Sequence, residues 1–253
     1  MNTNWLSFIF LLFLTTVLSQ NEGNTTIDNN SVIVPETRIR NGDNINISQA
    51  NYYVVVLCGG RGGGTLVRRN KVITAAHCVD ETCTRNKVRV VVGLNALSNL
   101  PNGKTYRAKS IRIHPMYKKP AQGVSPYDIA VITLSEKVAL NNRVGLINYA
   151  FNVPPIGAYL TVVGYGNINL DGVKPERLQR TRLRIIERPG TQIITEVQSS
   201  SVLKGDSGGP AIYNNRLAGV VSGYTSRNGI VETNIFVAVG KKAILTFIRR
   251  NIP

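Results

Sequence analysis

Histidine, cysteine and acidic residues are all scarce in this chain of 253 residues, which has 2 His, 3 Cys and 14 Asp and Glu. Zinc sites need Cys and His at characteristic spacings, and no such spacing occurs here. We therefore predict no metal and no organic cofactor. The 30 Lys and Arg residues give a formal net charge of +16, which favours anionic partners such as anionic glycans or acidic proteins. No nucleic-acid-binding motif accompanies this charge.

Long apolar runs are also missing, apart from one near the start of the chain. Residues 5–18 form that run, which is too short to span a bilayer comfortably. Small residues follow it, so we predict that residues 1–19 are a signal peptide that is cleaved before Gln20. A membrane anchor is the alternative. Because no other long apolar run occurs, the mature protein is expected to be soluble and secreted.

The segment after the apolar run is polar. Residues 20–38 are rich in Asn and Thr, which is typical of an unstructured pro-segment. Asn24, Asn29 and Asn46 each begin an N-glycosylation pattern, and secretion would expose them to glycosylation. At each position the alternative is a plain surface loop.

From Ile39 onward, short β-branched runs are separated by Asn, Gly and Pro. Residues 52–57, 88–92 and 159–163 are examples. Regularly spaced short strands are typical of barrels and sandwiches rather than of βαβ units. In residues 239–252 the apolar positions change to helical spacing. We therefore predict an all-β protein with one C-terminal helix.

Three separated motifs carry the chemistry. Residues 74–78 read Thr-Ala-Ala-His-Cys, residues 128–131 read Asp-Ile-Ala-Val, and residues 205–210 read Gly-Asp-Ser-Gly-Gly-Pro. A serine hydroxyl is a poor nucleophile unless a base removes its proton and a third group orients that base. In these motifs and in their His, Asp, Ser order, the chain resembles the trypsin-like serine endopeptidases of the chymotrypsin fold. The resemblance extends from Ile39 to the C-terminus.

The resemblance implies a fold of two six-stranded antiparallel barrels with the active site between them. It places a protease domain at residues 39–253, with barrels at about residues 39–145 and 146–238 before the C-terminal helix. The first barrel would carry His77 and Asp128, and the second would carry Ser207. The site would then form only where the two barrels meet.

The same resemblance assigns a role to each motif residue. Ser207 would be the nucleophile, His77 the general base and then the general acid, and Asp128 the group that orients the imidazole. The backbone N–H groups of Gly205 and Ser207 would form the oxyanion hole.

An activation step is also implied. Cleavage after Arg38 would free the ammonium of Ile39, which would insert and pair with Asp206, and this buried ion pair would lock the oxyanion loop. The family favours Ile-Val-Gly-Gly at the new terminus, whereas here Arg40 follows Ile39. Burying that arginine would cost desolvation energy. Activation by insertion is therefore a hypothesis that needs its own test.

The residues expected at the primary substrate pocket depart from the tryptic pattern. Ser201 stands where trypsins have an aspartate, and a neutral hydroxyl cannot pair with a substrate Lys or Arg. Ser222, Gly223 and Tyr224 replace the family's Ser-Trp-Gly segment, so Tyr224 is expected to crowd the pocket mouth. Asn234 replaces another pocket glycine. We predict non-tryptic cleavage, after small or apolar residues or within a narrow substrate range.

The three cysteines allow more than one pairing. By resemblance, Cys58 and Cys78 would form the disulfide that braces the histidine loop, provided that the Gly-rich segment after Cys58 folds back. Cys83 would then be left over, either free or in an intermolecular bond. A bond between Cys78 and Cys83 is the rival pairing.

Two interpretations of function follow. The first is a secreted zymogen of a serine endopeptidase, with an activating protease and with protein or peptide substrates as partners. The second is a weakly active protease-like module that binds an anionic partner. A non-peptide serine hydrolase is a weaker third interpretation, because the Gly-x-Ser-x-Gly elbow is absent and the triad order differs.

One basic cluster has a defined place in the predicted fold. Arg180, Arg182 and Arg184 alternate with Thr181, Leu183 and Ile185, which would put the three guanidinium groups on one face of a strand. A solvated surface is the favoured interpretation, and a polyanion site is the alternative.

Overall fold

The computed structural model describes residues 42–80, 83–121 and 123–253. The predicted signal peptide, pro-segment and Arg38–Ile39 cleavage site lie outside the described residues, as do Asn24 and Asn29. The strands are β1 (Asp43–Ile45), β2 (Tyr53–Leu57), β3 (Arg61–Arg68), β4 (Lys71–Thr74), β5 (Arg89–Val92), β6 (Lys104–Ile113), β7 (Ala130–Leu134), β8 (Tyr159–Gly164), β9 (Leu178–Glu187), β10 (Gln192–Glu196), β11 (Pro210–Tyr213), β12 (Arg216–Arg227) and β13 (Ile230–Ala238). Short 3-10 helices span Ile47–Ala50, Ala76–Cys78, Arg85–Lys87 and Leu97–Asn102, and one α-helix, α1, spans Lys242–Asn251.

Strands β2 to β7 form a closed barrel in the order β2-β3-β4-β7-β6-β5. All neighbouring strands are antiparallel. Val54, Val56, Leu66, Val90 and Ile132 lie in its buried core. β-Branched side chains suit such a core because they pack well on a pleated surface, and closure leaves no exposed strand edge.

Strands β8 to β13 form the second barrel. Their order is β9-β10-β13-β12-β11-β8, and β8 also pairs with β9, so the sheet closes. The predicted architecture of two six-stranded antiparallel barrels is thereby confirmed. β1 precedes the first barrel in the chain but pairs with β9 of the second, with Asn44 opposite Gln179.

The predicted C-terminal helix is confirmed as α1, although it is shorter than the periodic stretch of residues 239–252. Its buried face carries Ile244, Phe247 and Ile248. These side chains belong to one apolar cluster that also contains Val131 of the first barrel and Leu217 of the second. Burial of this shared cluster holds the two barrels together, and it therefore sets the position of the three motifs relative to one another.

None of the helices in the described residues is both long enough and apolar enough to cross a membrane. Within the same residues, no group of three or more His, Cys, Asp or Glu side chains is arranged to hold a metal ion.

Candidate active site

The pairing of β4 with β7 brings His77 and Asp128 together. Thr74, the last residue of β4, lies opposite Ala130, the first residue of β7. His77 follows Thr74 on the 3-10 helix Ala76–Cys78, and Asp128 lies just before Ala130. His77 Nδ1 is 2.6 Å from Asp128 Oδ2, and the His77 backbone N–H donates to Asp128 Oδ1 at 2.9 Å. Two contacts to one carboxylate fix both the ring and its loop.

Asp128 has a third partner, which the sequence did not reveal. The Ser222 hydroxyl donates to Asp128 Oδ2 at 2.5 Å. Ser222 lies on β12 of the second barrel, so this bond also ties the two barrels together at the site. Asp128 is buried, with 2% of its surface exposed, and its three hydrogen bonds offset the cost of burying the charge. Sequence reasoning placed Ser222 in the substrate pocket and missed this contact.

Ser207 lies on the loop before β11, and its backbone reaches across to the first barrel. The Gly63 N–H donates to the Ser207 carbonyl oxygen at 2.7 Å, and the Gly208 N–H donates to the Val221 carbonyl at 2.7 Å. Gly208 has φ +80°, and a Cβ there would overlap the Gly63 carbonyl oxygen. Only glycine permits both this conformation and this close approach.

The backbone N–H groups of Gly205 and Ser207 are candidates for the oxyanion hole. Within residues 42–80, 83–121 and 123–253, neither group donates a hydrogen bond to a backbone or side-chain acceptor. Gly205 has φ +99°, a conformation that strongly favours glycine. Both donors are therefore available to a ligand, as an oxyanion hole requires.

The other nitrogen of the imidazole contacts a thiol. Cys78 Sγ is 3.7 Å from His77 Nε2 and 3.6 Å from the Ser207 carbonyl oxygen. In the described part of the chain, no hydrogen bond joins the His77 and Ser207 side chains. The structure thus pairs His77 with Asp128 and places the Ser207 backbone beside Cys78.

These contacts determine the basicity of His77. Burial alone would lower its pKa, but the hydrogen bonds to Asp128 and Cys78, together with the negative charge of Asp128, raise the pKa to about 10. A folded-state pKa above the unfolded value favours the protonated folded form. The resulting stabilisation is fully present below about pH 6.5 and is lost as the pH rises through about 10.

Replacing Cys78 should lower the pKa of His77. In Cys78→Ala the hydrogen bond between the sulfur and the ring is gone, while burial still disfavours the imidazolium. NMR titration is direct, because His114 is the only other histidine in the chain. In the alanine variant the pKa of His77 should lie well below 10. In Cys78→Ser, which keeps a polar partner, the pKa of His77 should lie between those of the alanine variant and the unchanged protein. An unchanged His77 pKa in both variants would show that the thiol does not contact the ring.

The cysteine pairing differs from the one expected. Cys58 is bonded to Cys83, with their Cα atoms 5.9 Å apart, and Cys78 is free. The predicted bond between Cys58 and Cys78 is wrong, as is the rival bond between Cys78 and Cys83. The reason is the β2–β3 hairpin, in which Leu57 pairs with Arg61. Cys58 therefore lies at the turn instead of folding back. Gly62 occupies the position beside Cys78, where an added Cβ would be 2.9 Å from Sγ.

Asp206 is completely buried directly before Ser207. Its carboxylate accepts hydrogen bonds from the Gly166 N–H at 2.8 Å and the Leu203 N–H at 3.0 Å. Burial raises its pKa to about 6, although these two bonds and the charge of Arg61 act in the opposite direction. A Cβ at Gly166 would overlap this carboxylate, so glycine is needed there. Ile39, the predicted partner, lies outside the described residues.

The expected pocket residues are brought close together. Asn234 is buried and accepts from the Val202 N–H at 2.8 Å, while its amide donates to Thr195 Oγ1 at 3.0 Å. Tyr224 lies opposite Asn234 across β12 and β13 and packs on the core of the second barrel. Ser201 is fully buried, and its hydroxyl has no partner among the described residues.

Gly223 lies at the edge of this region. A Cβ there would be 2.9 Å from Val124 Cγ2, so the chain before Asp128 packs tightly against β12. Glu232, which is also near the pocket in sequence, is exposed and lies 3.3 Å from Arg227. It therefore supplies no charge to Ser201.

The arginine row of β9 has the predicted alternation. Thr181, Leu183 and Ile185 are buried, and the three arginines lie on the opposite, accessible face. Arg180 is 4.0 Å from Asp43, Arg184 is 3.5 Å from Glu196, and Arg182 lies 4.9 Å from the Tyr159 ring centre. Two of the three charges thus have carboxylate partners, which agrees with a solvated surface.

Asn46, the one glycosylation candidate within the described residues, is exposed. Its side chain accepts from the Ser48 N–H at 3.0 Å and caps the first 3-10 helix. The oxygen makes this bond, so the amide nitrogen to which a glycan would attach is not used by the cap.

Comparison of the sequence with known proteins identifies its family. The family model described as Trypsin matches residues 39–244. The chain belongs to the trypsin family. Rat chymotrypsin-like elastase family member 1 is 31% identical over 191 residues, which are 67% of this chain and 66% of that protein. Mouse chymase is 30% identical over 180 residues, which are 65% and 69% of the two chains. Each match thus spans about two thirds of the relative.

Solved structures agree with this trypsin-family fold. Neuropsin, a serine protease of mouse brain, superposes with a TM-score of 0.74 at 21% identity, covering 84% of this chain and 99% of its own. An inactivated protease paralogue of the scabies mite superposes with a TM-score of 0.72, also at 21% identity, covering 83% and 97%. Active members of the trypsin family are serine endopeptidases, and the family therefore implies peptide or protein substrates.

Proposed function

We propose that this chain is a secreted zymogen whose mature form is a serine endopeptidase of non-tryptic specificity. Ser207 is the nucleophile, His77 the general base and Asp128 the orienting carboxylate. An activating protease removes the pro-segment by cleavage after Arg38. No metal or organic cofactor takes part in this proposal.

The chemistry proceeds in two halves. The Ser207 oxygen attacks the substrate carbonyl carbon while Nε2 of neutral His77 takes its proton, and the N–H groups of Gly205 and Ser207 donate to the developing oxyanion. Because the pKa of His77 is about 10, the fraction of neutral imidazole, and with it the rate, should rise as the pH approaches that value. The imidazolium then gives the proton to the leaving amine, and an acyl-enzyme remains. A water molecule, deprotonated by His77, attacks the acyl carbon, and the proton returns to Ser207 as the acid leaves.

The observation that supports this proposal most strongly is the carboxylate arrangement around His77. Asp128 lies 2.6 Å from Nδ1, accepts the His77 backbone N–H, and accepts the Ser222 hydroxyl. A buried carboxylate held at three points fixes the orientation of the ring, and it would stabilise the imidazolium that forms during attack. A cavity of about 140 Å³ beside His77, walled by Tyr117, Val124 and Ser222, offers room for a substrate side chain.

Activation would supply a cation to the buried carboxylate of Asp206. Burial raises the Asp206 pKa to about 6, so its charge is costly near neutral pH unless a cation joins it. The ammonium of Ile39 is the proposed partner. Pairing would hold the loop that carries Gly205 and Ser207 in the shape that the reaction needs.

Controlled cleavage tests this function. The full chain, treated with trypsin, should gain activity on a casein substrate as Ile39 becomes the N-terminal residue, as judged by N-terminal sequencing. The Arg38→Ala variant should stay inactive under the same treatment, and Asp206→Ala should stay inactive although it is cut at Arg38. Equal activity before and after cleavage, or an active enzyme that begins elsewhere, would overturn the zymogen proposal.

The pocket residues predict small or apolar substrate side chains. Ser201 offers no charge, and the buried Asn234 amide together with Tyr224 takes up space that a long side chain would need. In matched peptide amides, kcat/KM for alanine or valine before the scissile bond should exceed that for arginine by about tenfold or more. Preference for arginine or lysine would contradict this assignment. The Asn234→Gly variant should accept larger apolar side chains.

A further inference from the structure

A groove separate from the active site lies between the end of β6 and the C-terminal helix. It has a volume of about 740 Å³. One wall is residues 112–116, and the other is α1. On the helix, Lys242, Thr246 and Arg250 recur every four residues and form one row along the groove. Ala243, Phe247 and Asn251 form the adjacent row, since residues four apart share a helix face.

The charges around the groove have one sign. Arg112 on the strand side and Lys242 and Arg250 on the helix side are all exposed, and no Asp or Glu is among the residues that line it. In the part of the chain that the structure describes, none of the three cations is within salt-bridge distance of a carboxylate. This distinguishes them from Arg180 and Arg184, which have carboxylate neighbours.

The floor of the groove is apolar and firmly held. Met116, which is 55% exposed, lines the groove together with Ile113 and Phe247. His114 is buried, with its ring 4.8 Å from that of Tyr127 and 5.0 Å from that of Phe247. Burial lowers the pKa of His114, so it acts as a neutral aromatic wall at neutral pH. An exposed, polarisable methionine in the same groove as these packed aromatic rings suits a bound apolar side chain.

We propose that this groove binds an acidic peptide segment of a partner protein, with an apolar side chain over Met116 and carboxylates beside Arg112, Lys242 and Arg250. Charge complementarity selects this occupant. A second copy of the chain is disfavoured by the net charge of +16 that both copies would carry. A sulfated glycan would satisfy the three cations but would leave the apolar floor without a partner.

A fluorescein-labelled hexapeptide, with leucine and phenylalanine between two pairs of glutamates, serves as the probe. Binding to the full chain is followed by fluorescence anisotropy in the Ser207→Ala background, so that the peptide is not hydrolysed and the outcome does not depend on catalysis. The Lys242→Glu/Arg250→Glu double variant should weaken binding by about a hundredfold, or tenfold for each lost charge contact. Lys137→Glu/Lys174→Glu, which changes two exposed lysines outside the groove, makes the same change in net charge and should weaken it by less than about threefold.

The apolar contact is tested by a second peptide and a second variant. A peptide with two serines in place of leucine and phenylalanine should bind about tenfold more weakly, and Met116→Asp should reduce binding of the original peptide by a similar factor. Circular dichroism confirms that each variant is folded. Equal losses in both charge variants, or equal binding of the serine peptide, would show only non-specific attraction to a basic protein. Dodecanoate competing with the original peptide more strongly than unlabelled peptide does would identify a lipid site instead, and would overturn the proposal.

Discussion

The Ser207→Ala variant of the Arg38-cleaved protein should lose about six orders of magnitude in kcat. The proposed mechanism has no second group that can form the acyl-enzyme, and a loss of this size is typical when the nucleophile of a serine protease is removed. The free N–H groups of Gly205 and position 207 would remain, so residual hydrolysis above the rate in water is expected. Measuring this residual rate requires a protein concentration that is determined without active-site titration, and a sensitive peptide amide substrate.

Cys78→Ala is the informative control for this loss, because Cys78 is a nucleophile that contacts His77. The thiol lies 3.7 Å from Nε2. If Ser207 performs the attack, the Cys78 variant should keep its activity within about tenfold, with a changed pH profile because the pKa of His77 falls. Loss of activity in Cys78→Ala together with its survival in Ser207→Ala would identify a thiol peptidase and reject the mechanism.

Asp128→Asn should lower kcat by about four orders of magnitude near neutral pH. The carboxylate accepts on both oxygens, from the His77 backbone N–H at Oδ1 and from the His77 ring and Ser222 at Oδ2. An amide has only one acceptor oxygen, so its NH2 group would face one of these positions, and an NH2 group facing Nδ1 would hold the imidazole in the wrong tautomer. In another serine protease the equivalent change costs about that much. Steady-state kinetics between pH 6 and 10 would separate this effect from a simple pKa shift.

Ser222→Ala provides the graded comparison. It removes one of the hydrogen bonds to Asp128 but leaves the carboxylate and its contact with His77, so kcat should fall by about tenfold, as expected for one charge-assisted hydrogen bond. A loss in Asp128→Asn no larger than that in Ser222→Ala would mean that the carboxylate has only a structural role.

The periodicity of the sequence predicted the class of fold, and the motifs predicted its architecture. Short β-branched runs established strands, but strand pairing depends on contacts far apart in sequence, which no local pattern records. The pairing of β1 with β9 is an example: residues 43–45 look like the start of the first barrel and belong to the sheet of the second. The helix begins later than its periodic stretch, at Lys242, because Val239 is buried in the connection between β13 and α1 and not on a helical turn.

At the site, the sequence predicted the His77 and Asp128 assignments but not the further hydrogen bond that Asp128 makes. His77 and Asp128 were assigned from their motifs, and the pairing of β4 with β7 explains why those motifs converge. Ser222 was assigned to the substrate pocket, since nothing in its local sequence indicates a bond to a carboxylate from the other barrel. The predicted cysteine pairing was wrong for a geometric reason. A hairpin turn at residues 58–60 directs Cys58 toward Cys83, and the sequence signal that could have revealed it is Gly62, which stands beside Cys78 and has no side chain with which to bond.

Covalent labelling by a fluorophosphonate probe tests the central claim most directly, because such probes react with serines that a neighbouring base has activated. The Arg38-cleaved protein should carry one probe adduct, which peptide mass spectrometry should locate on Ser207, and His77→Ala should abolish it without unfolding the protein. Absence of any adduct after complete cleavage at Arg38, or an adduct on a residue other than Ser207, would contradict the account.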